Sequence, residues 1–154
     1  VASIFGSIMW SIGWVSARIY FADKIEREPS VLQAPPQESI FVLVNKERRA
    51  AGLDNLYLDE KLINAARAKS CDMNSRGYFD HADPAGVKGW HFVDEQFADW
   101  TDIGENIAKG NTDPAVLVQN WMESPSHRKN ILSEKFRYTG YASCGEYTAQ
   151  FFLR

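Results

Sequence analysis

Cysteine is scarce in this sequence: two residues in 154, with no C-x-x-C pair. That excludes a disulfide-dense framework and a zinc site built on cysteine pairs. Excess positive charge is also missing. Seventeen Lys plus Arg stand against twenty Asp plus Glu, a formal net charge of −3, which excludes a broad electrostatic nucleic-acid footprint. There is no internal repeat and no low-complexity tract. Histidine is limited to three residues, few enough to weigh one by one. Apolar residues (45%) and aromatics (13%) are plentiful. A disordered chain is thereby excluded, and a chain of this size buries a real core, roughly 70% of its unfolded surface.

Charge is absent from residues 1–17 (VASIFGSIMWSIGWVSA), and Arg18 alone interrupts an apolar stretch of 22 residues. As a helix that stretch is about 33 Å long, enough to cross a bilayer. Arg18 can snorkel to headgroups, and Ser3, Ser7 and Ser11 at four-residue spacing allow another helix to pack closely. The chain begins with Val and shows no basic n-region. Three readings of residues 1–22 stay open: a membrane anchor, a signal peptide cut short, or an apolar helix docked on the domain. The lack of a polar face favours the anchor. Residues 23–36 (DKIEREPSVLQAPP) read as a charged, Pro-containing linker, with the domain occupying 37–154.

Within 37–154 the pattern is mixed. A first helix is expected over about 38–51, with Ile40, Phe41, Leu43, Val44 and Glu47 on one face and Gly52 as the stop. A second follows Asp59 as N-cap, carries Leu62, Ile63, Ala65, Ala66, Ala68 and Met73 as apolar positions, and ends at Gly77. Residues 78–86 (YFDHADPAG) read as loop, and a short helix is expected over 87–98. TDIGENIAKG (101–110) reads as loop with a short strand. Asp113-Pro114 opens a helix to about Glu123, Pro125 interrupts it, and Ser126 is expected to cap a last helix through Leu132. The period then changes to two. Residues 138–143 and 147–153 predict a hairpin around Gly145.

Two histidines, His81 and His127, sit beside turn signals, and two glutamates, Glu105 and Glu123, have similar settings. Imidazole binds zinc and similar ions, and a carboxylate can fix its tautomer through the other N–H. Two His plus two Glu therefore suit a metal site, or a site with Glu as general base. By spacing alone, ordinary surface or capping roles fit better. Asp94, Glu95, Asp99, Asp102 and Glu105 form an acidic run with no intervening base. Facing the histidines it would favour cations and raise their pKa; otherwise it is a solvated helix face. Cys71 and Cys144 lie on segments that can pack together, so a disulfide and two buried thiols both remain open.

From about Ser39 to Phe152 the chain resembles the CAP superfamily, also called the SCP-like extracellular domain, in its bacterial branch. The resemblance runs through LVNKERRAAGL (43–53), LDEKLINAARAKSCDM (58–73), YFDH (78–81), GENIA (104–108), WMESPSHRKNIL (121–132) and RYTGYASCGEYTAQFF (137–152). It implies an α+β fold, a three-layer α-β-α sandwich. It also implies that His81, Glu105, Glu123 and His127 line one cleft. There His81 and His127 hold a divalent metal, often zinc, with Glu105 and Glu123 close by. The closing strand departs from the family pattern at Tyr147-Thr148-Ala149-Gln150, and the short span from Gly86 to Gly104 leaves no room for a large lid. His91 is expected on a helix surface. Ser126 is read as a cap rather than a nucleophile, Trp121 as core, and Asn106 and Arg128 as loop braces.

The expected function is an extracytoplasmic CAP domain, membrane-anchored or secreted, whose His/Glu cleft binds a divalent cation and meets an envelope peptide, lipid or polysaccharide. Two rival readings are a hydrolase with Glu105 or Glu123 as catalytic base, and a lipid- or sterol-binding module. No nucleic acid partner is expected.

Overall fold

The computed structural model describes residues 39–97, 100–110 and 113–154. The apolar stretch 1–22 and the linker 23–36 lie outside them. Among the described residues no helix is long and apolar enough to cross a membrane.

Helix α1 spans Ile40–Ala50. Ser39 caps it, its Oγ accepting from the Val42 N–H at 3.4 Å. The buried face is Ile40, Val44, Asn45 and Arg48, so two polar residues occupy positions that an apolar pattern does not mark. The Arg48 guanidinium donates to the carbonyls of Asp54, Ile131 and Ser133, each at 2.8 Å. Asn45 bonds both backbone groups of Leu56, as a neighbouring strand would. A buried polar group is tolerated when its partners are supplied.

Strand β1 is only Tyr57–Leu58, too short for a periodicity signal and absent from the sequence reading. Helix α2 spans Glu60–Arg76, with Asp59 as N-cap and Gly77 as C-cap, as expected. Ala68 turns out exposed, whereas Lys69 and Ser70 are buried. Helix α3 is a single turn, His91–Asp94, shorter than the 87–98 expected. Strand β2 runs Ile103–Lys109, where mostly loop was expected. Its polar Glu105 and Asn106 mask the strand, and burial on both faces removes the simple alternation.

Helix α4 (Pro114–Glu123) is capped by Asp113, whose Oδ1 accepts from the N–H groups of Ala115 and Val116. Helix α5 (Pro125–Ile131) follows directly. Ser124, forced to extended backbone by Pro125, is the N-cap, and the expected cap Ser126 lies inside the helix. Strands β3 (Tyr138–Cys144) and β4 (Tyr147–Leu153) form the predicted hairpin.

The sheet order is β1-β3-β4-β2. β1 pairs parallel with β3, and β4 pairs antiparallel with both β3 and β2. One face packs on α2 and α3 through Leu62, Ala65, Ala66, Met73, Val93 and Phe151. The other packs on α1, α4 and α5 through Val44, Leu117, Trp121, Ile131, Phe136 and Phe152. Each of these side chains larger than alanine contributes roughly 2 kcal/mol by leaving water. The result is the three-layer α-β-α sandwich that the resemblance implies. Gly140 lets α2 approach β3: a Cβ there would fall on the backbone of Leu62 and Ile63. Further along the same helix and strand, Cys71 and Cys144 form a disulfide across a sequence separation of 73. Closing that loop limits the unfolded chain and stabilises the fold by roughly 4 kcal/mol.

Candidate functional site

His81 lies in the loop between α2 and α3, a segment fixed from several sides. The Asp83 carboxylate accepts from the N–H groups of Ala85 and Val87, and Arg76 donates to it at 2.8 Å. These donors hold the Asp83 carboxyl below its usual range, the Arg76 bond contributing most. Beneath the loop, fully buried Lys69 donates to the carbonyl of Asp80 at 2.8 Å, and to the His81 carbonyl and the Tyr78 hydroxyl, each at 3.3 Å. Burial lowers the Lys69 pKa, and nearby acids led by Glu105 oppose that shift.

Glu105 reaches the loop from β2. His81 Nδ1–H donates to Glu105 Oε2 at 2.9 Å. An ionised carboxylate only accepts, so the proton in this bond belongs to Nδ1, and Nε2 has no hydrogen-bond partner among the described residues. The His81 side chain is 51% exposed and that of Glu105 only 11%. The bond to Glu105 raises the His81 pKa, against a smaller opposing contribution from desolvation. Glu105 Oε1 is buried and without a hydrogen-bond partner among the described residues. It packs against Gly89, where any Cβ would collide with the carboxylate. The Gly89 N–H in turn donates to the His81 carbonyl at 2.8 Å. Gly89 thus binds the loop to itself and makes room for the carboxylate.

His127 stands at the start of α5, half-buried, with its ring 6.4 Å from that of Trp121. Burial lowers its pKa, and the charge on His81 lowers it further, so the two imidazoles sense one another. A chain of amides anchors this end. Asn130 donates to the Glu105 carbonyl and to Asn106 Oδ1, each at 2.9 Å, and Asn106 donates to the His127 carbonyl at 3.4 Å. Asn106 is the brace the sequence predicted.

Glu123 is placed elsewhere. Its Oε1 accepts from Gln119 at 3.0 Å, and it borders a separate hollow with Leu43, Lys46, Met122 and Arg128. The structure therefore joins His81 directly to Glu105, while Glu123 bonds Gln119 and borders Arg128. The acidic run is dispersed as well. Asp94 accepts from Trp100, Glu95 pairs with His91, and Asp102 pairs with Lys135. Of its described members, only Glu105 faces a site histidine. His91, expected on the surface, is half exposed.

The hollow at His81 has a volume of about 340 Å³ and is lined by His81, Lys88, Trp90, Ile103, Glu105 and Asn130 together with Gly104 and Phe151. Among the described residues, no group of three or more His, Cys, Asp or Glu side chains is arranged to hold a metal ion. Of the two site histidines, His81 lines this hollow, whereas His127 is not among its lining residues. Lys69, Lys88, Gly89, Trp90 and Asn130 were missed by the sequence reading. A signal existed for Lys69: it falls on the buried stripe of α2 between Ala65 and Met73. Gly89 carried none, because its partner is distant in sequence.

Comparison with known proteins agrees with this architecture. The profile of the cysteine-rich secretory protein family, CAP, matches residues 41–153. YkwD of Bacillus subtilis (strain 168) is 39% identical over 119 residues, covering 76% of this chain and 46% of YkwD. The membrane protein YlbC of the same organism is 28% identical over 123 residues, covering 80% of this chain and 36% of YlbC. The chain thus spans less than half the length of either relative. The 1.5 Å crystal structure of an extracellular protein containing a SCP domain from Bacillus anthracis superposes with a TM-score of 0.71. It is 31% identical and covers 75% of this chain and 39% of that one. With the profile match, the sandwich and the order of its motifs in agreement, the chain belongs to the cysteine-rich secretory protein (CAP) family.

Proposed function

We propose that this CAP domain acts outside the cytoplasm, at the cell envelope, and that its cleft takes a divalent cation, with zinc the first candidate, through His81 and His127. The observation that carries the reading is the 2.9 Å bond from His81 Nδ1–H to Glu105. A carboxylate behind a histidine fixes the tautomer, raises ligand basicity and aims the remaining nitrogen, the arrangement behind many metal-bound imidazoles. The lowered pKa of His127 keeps that ring neutral and able to donate. Bound there, the cation would supply Lewis acidity, with water or an envelope ligand completing its shell. The Cys71–Cys144 disulfide supports an oxidising compartment. The extracellular and membrane relatives support the envelope location, and the uncharged start of the sequence supports an anchor.

Zinc titration by calorimetry on the full chain in mild detergent tests the reading. His81→Ala and His127→Ala are each expected to weaken binding at least tenfold, and Glu105→Gln about 10- to 100-fold. Binding is expected to fall on acidification, because protons compete for the raised His81 pKa. Equal affinity in wild type and both histidine variants overturns it.

The same pair favours one second reading. A carboxylate-backed imidazole is also a general base, so Glu105 and His81 fit hydrolysis better than Glu123 does. Turnover of a peptide or ester library that survives in Glu105→Gln would remove that reading.

A further inference from the structure

The hollow beside His81 carries a second feature that the cation reading does not use. Trp90 stands at its rim with 45% of its surface exposed. The other two described tryptophans place their indole N–H on a partner, Trp100 on Asp94 and Trp121 on the carbonyl of Ile107. Among the described residues the Trp90 N–H has no such partner, and Lys88 makes no ion pair within 4.0 Å. Asn130 uses its amide hydrogens on Glu105 and Asn106, which leaves its Oδ1 to accept. The rim therefore offers a flat apolar face, a cation, an N–H donor and a carbonyl acceptor around about 340 Å³.

Three ligand chemistries can be weighed against that set. A lipid chain needs continuous apolar walls, yet His81, Lys88, Glu105 and Asn130 interrupt them. An extended peptide would pair with the free edge of β2. That edge is already engaged: Asn130 takes the Glu105 carbonyl and Trp121 takes the Ile107 carbonyl. A sugar ring fits what remains. One face of a pyranose is apolar and stacks on an indole, and its edge is polar and meets N–H, amide and imidazole groups. Glu105 is engaged by His81, and Lys88, which senses Asp80 but makes no ion pair with it, then favours a sugar bearing a carboxylate.

We propose that Lys88 and Trp90 form a subsite for an acidic saccharide at the mouth of the His81 hollow. It does not rest on the cation reading. Trp90 supplies the stacking platform and Lys88 the charge that distinguishes acidic from neutral sugars.

The test is calorimetric titration of the full chain in mild detergent, with a chelator present so that cation binding plays no part. The probe is a linear galacturonate trimer, with a neutral galactose trimer and triglutamate as comparators. Wild type is expected to bind the galacturonate trimer better than either comparator. Trp90→Ala should weaken that binding about tenfold or more and Trp90→Phe should restore part of it, while Lys88→Gln should bring the acidic and neutral trimers to similar affinity. Both side chains are exposed, so circular dichroism is expected to show all variants folded. No binding of the galacturonate trimer at millimolar concentration, equal binding by Trp90→Ala, or stronger binding of triglutamate each overturns the proposal. The last outcome would favour a peptide ligand.

Discussion

The two faces of the sheet treat buried polar groups in opposite ways. Against α1, α4 and α5, Arg48 and Asn45 lie buried among carbonyl and amide groups of the main chain and fasten segments to one another. Against α2 and α3, Lys69 and Glu105 also approach the core, but their bonds converge on one loop and one imidazole. The first arrangement satisfies backbone groups and keeps Arg48 and Asn45 bonded inside the fold; the unpartnered oxygen on that face among the described residues, Gln150 Oε1, is fully buried and meets no loop or imidazole. The second leaves two atoms over at the loop, His81 Nε2 and the unpartnered Glu105 Oε1. Burial of charge alone does not mark a site; what marks it is an oriented group with bonding capacity left unused.

The comparison is broken most severely at Arg48. Arg48→Met leaves three carbonyls without their donor, and stability should fall by about 3 kcal/mol or more. Urea denaturation measures it, and the His81 titration should be unchanged. Lys69→Met removes fewer strong contacts and should cost about 2 kcal/mol. Here the effect should also reach the site, with the His81 imidazole resonance broadened or shifted in NMR. An unchanged resonance would mean that Lys69 merely fastens, as Arg48 does.

Glu105→Gln sharpens the contrast through pH. Glu105 raises the His81 pKa, so the folded state binds that proton more tightly than the unfolded chain does. The stabilisation is fully present below the unfolded histidine value of about 6.5 and is lost as pH rises through the raised folded value. Glu105→Gln should therefore destabilise the protein most near pH 5.5, and progressively less once His81 is neutral in both proteins. Thermal unfolding across that range measures it, and a pH-independent difference would contradict the coupling. The smallest effect is expected at Glu123→Ala. Its side chain is exposed and bonds Gln119, so stability should change by less than about 0.5 kcal/mol. The His81 titration by NMR should also stay put. A clear shift would bring Glu123 into the same cleft after all.

Much of the frame was legible in advance, and the reason is local chemistry. Asp59, Gly77 and Asp113-Pro114 mark helix ends because caps and stops act within a few residues. The closing hairpin was legible because its apolar residues keep the sheet period. Where neighbours in sequence do not decide the outcome, the reading weakened. β2 looked like loop because Glu105 and Asn106 are polar, and only pairing with β4 makes the segment a strand. Ser126 looked like a cap, but Pro125 moves that role to Ser124. The four-residue cleft was a family expectation, and the side-chain contacts divide it: His81 meets Glu105, whereas Glu123 turns to Gln119.

Sequence alone determined the order of the main helices and the closing hairpin, the family and the identity of the chemically able side chains. Those follow from capping, periodicity and motif, all written within short windows of chain. Tertiary structure alone decided which of these side chains act together. Glu105 is 24 residues from His81, and the Lys69 bonds, the glycine gap at 89 and the sheet register close that distance. Hydrogen bonds and steric fit operate over a few ångströms of space, whatever the separation along the chain.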